Sequence, residues 1–437
     1  MTPKNFDLHL YANIMHSEEP TADLKRAYGT SGRLETVVDA IETYDIPTTI
    51  SMQGFDIAYL RNTNAKLLSR LAKSKQIRFV TTPYSHVLLS TCANQDNQTK
   101  LTRQEFNRGV GIKQTPLYMG PEFDITPDLI GHMKSLDARA VLLQEDANVN
   151  QLYGFRPEFY EQKPGIFAPA NLDNADAIIL QNEDGQQIYG VMTLSNAEFR
   201  APFLNMLRGI TTPQETITAH IAGLNRTKLP VGIGLIDAEA IYGCINVSKQ
   251  NNPVYRFVKY LAALSNARQS EQLIMTPFDI SGTYGLLDAH LHEQVLTLPV
   301  IDHINRPKAK WLQHLEEGFS YGKNIDYRTR QLACTKLTER EQRLIEIARV
   351  SDLKSAFFGL KRPDKVLARL PVRANDGTLI NKDQPGAVVI RSDFERPAQI
   401  EHIVRCLEQN IALTKSTQVS LLQASQEFMQ VIDQITK

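Results

Sequence analysis

Short apolar runs alternate with stretches of helical periodicity through roughly the first 300 residues. Phe6 to Ile14 reads as a first strand. Leu34 to Tyr44 puts Leu34, Val37, Val38 and Ile41 at helical spacing, and Pro47-Thr-Thr-Ile-Ser-Met52 follows as a strand. Leu67 to Ala72 is helical in pattern, and Ile77-Arg-Phe-Val-Thr-Thr82 is strand-like. Pro127 to Ser135 reads as a helix opened by Thr126 and Pro127, which suit an N-cap and a first turn. Ala138-Arg-Ala-Val-Leu-Leu143, Ala177-Ile-Ile-Leu180, Val231 to Ile236 and Gln272-Leu-Ile-Met275 supply further strands. The stretch from Gln181 to Met192 holds Asn182-Glu-Asp-Gly185, a signal for a local hairpin or an insertion.

Strands alternating with helices imply βαβ units and a parallel sheet, either a barrel or an open doubly wound sheet. After about residue 300 the texture changes, and Ala309 to Glu317, Thr338 to Phe358 and Pro397 to Ile435 carry helical periodicity. Arg362 to Gln384, richer in Pro, Gly, Asn and Asp, reads as a long loop. The expected plan is an α/β barrel over residues 1–300, followed by a helical C-terminal region over 301–437 packed on it. No internal repeat or low-complexity tract interrupts the pattern.

Composition narrows the function. Lys plus Arg and Asp plus Glu number 48 each, so the formal net charge is zero, and no basic block favours nucleic acid. A neutral polar substrate is compatible with that balance. Cys92, Cys244, Cys334 and Cys406 lie far apart with no CxxC spacing, which argues against a disulfide framework or structural zinc. The N-terminus lacks the apolar core of a signal peptide, and no apolar run reaches the ~18 residues of a membrane helix. The expectation is a soluble, cytoplasmic protein with no membrane or nucleic-acid partner and no cofactor.

Two carboxylates follow apolar runs: Glu122 in Pro116-Leu-Tyr-Met-Gly-Pro-Glu122, and Asp237 in Val231-Gly-Ile-Gly-Leu-Ile-Asp237. Strand ends in α/β barrels are where catalytic groups sit. Paired carboxyls are what glycosidic-bond cleavage needs, one attacking or stabilising the sugar cation and one protonating the leaving oxygen. Each also has a structural reading. Glu122 would sit in a helix's first turn, with Asp124 beside it as a helix-start residue, and Asp237 would cap the next turn. If the strand ran on past Asp237, Glu239 would share its face, and the two carboxyls would raise one pKa.

The segments around these residues resemble glycoside hydrolase family 57, collinearly from about Asp7 to Leu360. Leu10-Tyr-Ala-Asn-Ile-Met-His16 is similar to the family's first-strand motif, although Ser17-Glu-Glu-Pro20 replaces its His-Gln-Pro and His9 competes for the histidine role. Tyr44 to Gly54 is similar to the second strand, and Thr82-Pro-Tyr84-Ser-His86 to the family's Tyr-x-His. Gly111 to Glu122 resembles the segment presenting the nucleophile, and Ile236-Asp-Ala-Glu-Ala-Ile-Tyr-Gly243 the Asp-Tyr-Glu-Thr-Phe-Gly motif of the acid/base. Weaker echoes are Trp311-Leu-Gln-His314 and Arg349-Val-Ser-Asp352.

The resemblance implies a (β/α)7-type irregular parallel barrel with a helical C-terminal region, acting without metal on α-linked glucans with retention of configuration. It implies catalytic roles for Glu122 and Asp237, and substrate binding by His16, His86, Glu239, His9 and Tyr84. Trp311 is the single tryptophan, so aromatic contacts to sugar fall to Tyr84, Tyr118, Phe123 and Tyr242. Other sites are weaker. Asp288, His290 and His292 form a short His-x-His metal candidate, but i and i+2 face apart on a helix. Glu145-Asp146 reads as a turn or a substrate contact. Two alternative functions stay open: a catalytically inactive carbohydrate-binding barrel, and a metal-dependent polysaccharide deacetylase.

Overall fold

The computed structural model describes residues 4–12, 22–85, 95–109, 114–121, 127–144, 177–194, 196–226, 231–243, 251–275 and 295–297, with short pieces beyond residue 327. The strand–helix alternation of the sequence is present. In chain order the elements begin β1 (Lys4–Tyr11), α1 (Ala22–Tyr28), α2 (Arg33–Thr43), β2 (Thr48–Ser51), α3 (Gly54–Thr63), α4 (Ala65–Lys73) and β3 (Ile77–Thr81). They continue α5 (Gln95–Gly109), β4 (Gln114–Tyr118), α6 (Pro127–Ser135), β5 (Ala140–Gln144), β6 (Ala177–Gln181) and β7 (Gln187–Thr193). A π-helical turn at Asn196–Arg200 leads into α7 (Ala201–Arg208) and α8 (Pro213–Arg226). Then come β8 (Val231–Asp237), α9 (Ala238–Ile241), α10 (Pro253–Gln269), β9 (Leu273–Met275) and β10 (Val295–Thr297).

The strands pair in the order β7-β5-β4-β3-β2-β1-β8, each neighbour parallel. The ring closes where the Leu194 N–H, just past β7, donates to the Ile233 carbonyl of β8 at 2.8 Å. The result is a (β/α)7-type barrel. β6 lies antiparallel to β7, and their turn is the Asn182–Gly185 hairpin, in which Asn182 Oδ1 accepts from the Gln186 N–H and Gly185 adopts φ +74°. β10 adds to β6, and β9 to the start of β1.

Strand alternation sorts the side chains into two layers. Phe6, Leu8, Leu10, Ile50, Met52, Phe79 and Ile236 point outward and share one core with the helices, including Val37, Leu60, Leu71, Phe203 and Phe257. Val80, Leu117, Met119, Ala140, Leu142, Val191 and Ile233 come from five strands and meet in a second cluster, which only the barrel interior can assemble. The alternating glycines of β8 have a packing reason. A Cβ on Gly232 would lie 2.2 Å from Leu224 of α8, and one on Gly234 would lie 2.5 Å from Phe199 and 2.7 Å from Phe6. Their absence lets α8 and the π-helical turn lie close against the barrel wall.

Several elements differ from the sequence expectation. β1 ends at Tyr11 rather than running to Ile14, because Ala12 leaves the strand with its carbonyl accepting from the Tyr28 hydroxyl at 2.7 Å. The stretch read as a loop, Arg362 to Gln384, contains strands. β11 (Val366–Leu370) pairs antiparallel with β14 (Val388–Arg391), and β12 (Val372–Arg373) with β13 (Leu379–Ile380). Its polar composition masked short apolar alternation on either side of Pro371. Most of the helical segments expected over 301–437 lie outside the described residues.

Candidate active site

Among the described residues the barrel interior has a polar wall on β1 and β2. On β1, Asp7, His9 and Tyr11 point inward; on β2, Thr49 and Ser51 do the same, on the neighbouring parallel strand. Asp7 is fully buried and accepts from Thr49 Oγ1 at 2.8 and 3.0 Å through its two oxygens, which offsets the cost of burying a polar group. Above it, His9 Nε2 lies 2.7 Å from Ser51 Oγ, which also approaches Met119 Sδ at 3.4 Å. Burial pushes the His9 imidazole down to about 3, so it is neutral at physiological pH. The aliphatic cluster lies directly beside this strip, Ile233 pairing in register with Asp7 and Met119 touching Ser51.

Asp237 stands at the C-terminal end of β8, on the inward register of Ile233 and Leu235. It pairs in register with Tyr11 of β1, which in turn pairs with Ser51 of β2. Its half-buried carboxylate also N-caps α9, Oδ1 accepting the Glu239 N–H at 2.9 Å. The capping reading of this residue is therefore present in the structure, at a position that also faces the barrel mouth.

That cap decides between the two readings of the Asp237–Glu239 spacing. The strand stops at Asp237 and the chain turns helical at Ala238, so Glu239 belongs to the first turn of α9 rather than to the strand face. Its charge is the smallest of several influences on Tyr28. Burial first, then Asp56, Tyr242 and Glu239, hold the Tyr28 phenol well above its ordinary value. Tyr28 is thus a firmly protonated donor to Ala12, at the exit of β1.

Tyr84 is buried, its ring tilted against Phe55 at 5.9 Å and lying where a Cβ on Gly54 would sit, at 2.8 Å. Its carbonyl accepts the Phe55 N–H at 2.9 Å. Tyr118 and Tyr242 are also buried core rings. All three rings are buried, as are His9 and Gln53. The next residue, Ser85, is held by Gln98 of α5, whose Oε1 accepts the Ser85 N–H at 3.0 Å and whose Nε2 donates to Ser85 Oγ at 3.1 Å.

Glu122, His16, His86, Phe123, Asp124, Glu145, Asp146, Asp288, His290 and His292 lie outside the described residues. Pro121, the residue before Glu122, is described and buried beyond the C-terminal end of β4. Among the described residues no group of three or more His, Cys, Asp or Glu side chains has an arrangement that could hold a metal ion. Tyr11, Ser51 and Gln53 were missed in the sequence. The signal was there, since Asp7-x-His9-x-Tyr11 and Thr49-x-Ser51-x-Gln53 put polar groups at period two inside strands buried on both faces.

The chain matches no family model and no curated protein sequence. It does match solved structures. One is a GH57-type branching enzyme from the hyperthermophilic archaeon Pyrococcus horikoshii, with TM-score 0.55 at 9% identity over 98% of this chain and 95% of that one. A second is a GH57 branching enzyme from Thermococcus kodakaraensis, with TM-score 0.52 at 9% identity over 100% and 96%. A third is a 4-α-glucanotransferase from Thermococcus litoralis, with TM-score 0.55 at 11% identity over 82% of this chain. This chain spans only 56% of the glucanotransferase. At such identities the likeness is one of fold: the chain has the α/β barrel architecture of these GH57 enzymes.

Proposed function

We propose that the protein is a divergent member of glycoside hydrolase family 57 that cleaves or transfers α-linked glucan or related oligosaccharide with retention of configuration. The observation that carries this reading is Asp237. It is a carboxylate at the C-terminal end of β8, on the interior register, beside the polar strip of Tyr11, Ser51 and His9. Barrel enzymes carry their reacting groups at this end of the strands.

In this reading Glu122 attacks the anomeric carbon and the leaving oxygen takes a proton from Asp237. Asp237 then takes a proton from water, giving hydrolysis, or from a sugar hydroxyl, giving transfer. His9, held neutral, hydrogen-bonds the sugar next to the scissile bond without adding charge, and His16, His86 and Glu239 belong to the same site. The barrel over 1–300 would carry the chemistry and 301–437 would pack on it, in a cytoplasmic protein. The branching enzymes and the glucanotransferase support the general kind of substrate through shared fold.

The test is incubation with a panel of α-linked oligosaccharides and polysaccharides, with products resolved by size, for wild type and Glu122→Gln. Turnover by wild type and none by the folded variant is the expected result. Equal turnover by both sinks the assignment of Glu122. The capping bond from Asp237 to Glu239 favours one second reading, a carbohydrate-binding barrel in which Asp237 is purely structural. That reading predicts sugar binding with no product from any substrate on the panel.

A further inference from the structure

Gln53 follows β2 and keeps its extended course, with φ −70° and ψ 154° as the residue before α3. Thr49 and Ser51 bond Asp7 and His9 inside the barrel, and Met52 packs in the outer core. Alternation therefore turns Gln53 inward, one step above Ser51, at the C-terminal mouth. Its side chain is fully buried, and among the described residues neither Oε1 nor Nε2 has a hydrogen-bond partner.

The local partners an amide in this position would ordinarily take are not used. Gln53 precedes α3 as its N-cap residue but makes no side-chain cap bond. Ser51 Oγ is engaged with His9 and Met119. On β1, His9 Nδ1 is likewise buried with no partner among the described residues. Buried polar groups are satisfied in the great majority of cases, and an exception calls for a reason. An unpaired buried amide destabilises the free protein, which a ligand that pairs with it reverses.

We infer that the Gln53 amide is a hydroxyl-binding group of the barrel mouth, taking two adjacent hydroxyls of a glucose unit in an α-linked oligosaccharide. One planar amide offers a donor and an acceptor side by side, and a vicinal diol offers the complementary pair. It does so without charge, in keeping with a neutral sugar and a neutral His9. The inference rests on the α-glucan reading above and names a positioning contact within that site. A buried water would satisfy the same amide, and the experiment separates the two.

The full-length protein is titrated with maltohexaose by calorimetry as Glu122→Gln, which suppresses turnover, and as Glu122→Gln combined with Gln53→Met or Gln53→Asn. Met keeps the volume and removes the hydrogen bonds; Asn keeps an amide. The expected result is about tenfold weaker binding with Met and partial recovery with Asn. Gln53→Met alone should also melt about 2 °C higher than wild type without sugar, because an unpaired buried amide is gone. Equal affinity with and without Gln53→Met, as a water-holding residue would give, overturns the inference. So does a lower melting temperature for Gln53→Met, which would reveal an internal partner. Failure of Glu122→Gln itself to bind any maltooligosaccharide overturns the α-glucan reading instead.

Discussion

Tyr11 and Asp237 occupy the same register position on adjacent parallel strands, at the C-terminal ends of β1 and β8. Some 226 positions of chain separate them (237 − 11), and the closed ring brings them side by side. Asp237 caps α9 there, and the proposed function gives it a second duty as acid/base.

Those duties separate by substitution. Asn remains a good N-cap but cannot donate a proton as a carboxyl does. Asp237→Asn should therefore lower kcat by about 10²–10⁴-fold while changing stability by only a few tenths of a kcal/mol. Asp237→Ala should lose the cap as well, about 0.5–2 kcal/mol. Steady-state kinetics and urea unfolding on both variants check this. Full activity in the folded Asn variant contradicts the acid/base role.

Gly234→Ala should be destabilising by about 1–3 kcal/mol, since the new methyl meets two buried phenylalanine rings. Gly185→Ala is the contrast. Nothing lies within 4 Å of its Cβ, and its penalty comes only from φ +74°. Thermal melts of the two report whether crowding or backbone conformation dominates.

Tyr28→Phe removes the donor to the Ala12 carbonyl and leaves that acceptor buried. The expected loss is about 1–3 kcal/mol of stability. Because Ala12 is where the chain leaves β1, kcat should fall with it. Unfolding curves and kinetics on one preparation show whether the two effects travel together.

Acid should weaken the fold through two buried histidines. His9 and His220 are both pushed from 6.5 down to about 3, by burial first, His220 being packed between Tyr260 Oη at 2.9 Å and the Phe199 carbonyl. Below pH 6.5 the unfolded chain takes up a proton at each and the folded chain does not. Their stabilisation is full above pH 6.5 and is lost as pH falls toward 3, by about 1.4 kcal/mol per unit for each. Urea midpoints at pH 7.5 and 5.0 should differ less in His220→Gln than in wild type. An equal difference contradicts the neutral buried state. The pH profile of activity should carry no limb near 6.5 from His9.

Much of this was legible in the residues. The apolar runs of β2, β3, β5, β6 and β8 and the helix Pro127–Ser135 follow local periodicity, which a linear chain displays openly. Asp237 was visible because an acid at the end of Val-Gly-Ile-Gly-Leu-Ile contrasts with the run before it. The sequence left two readings open, Asp237 capping the next turn or the strand running on to Glu239, and the structure shows the cap, Asp237 Oδ1 accepting the Glu239 N–H. Nor did the sequence choose between an open sheet and a barrel, since both have the same alternation along the chain.

The sequence by itself determined where most of the barrel strands lie, which helical faces are apolar, and that an acid ends the run of β8. Those properties depend on neighbours a few positions apart. Tertiary structure alone decided that Leu194 meets Ile233 and closes the ring, that Tyr84 packs against Phe55, and that Tyr11 stands in register between Ser51 and Asp237. Each depends on contacts between residues far apart in the chain, and burial and register exist only once those residues have met.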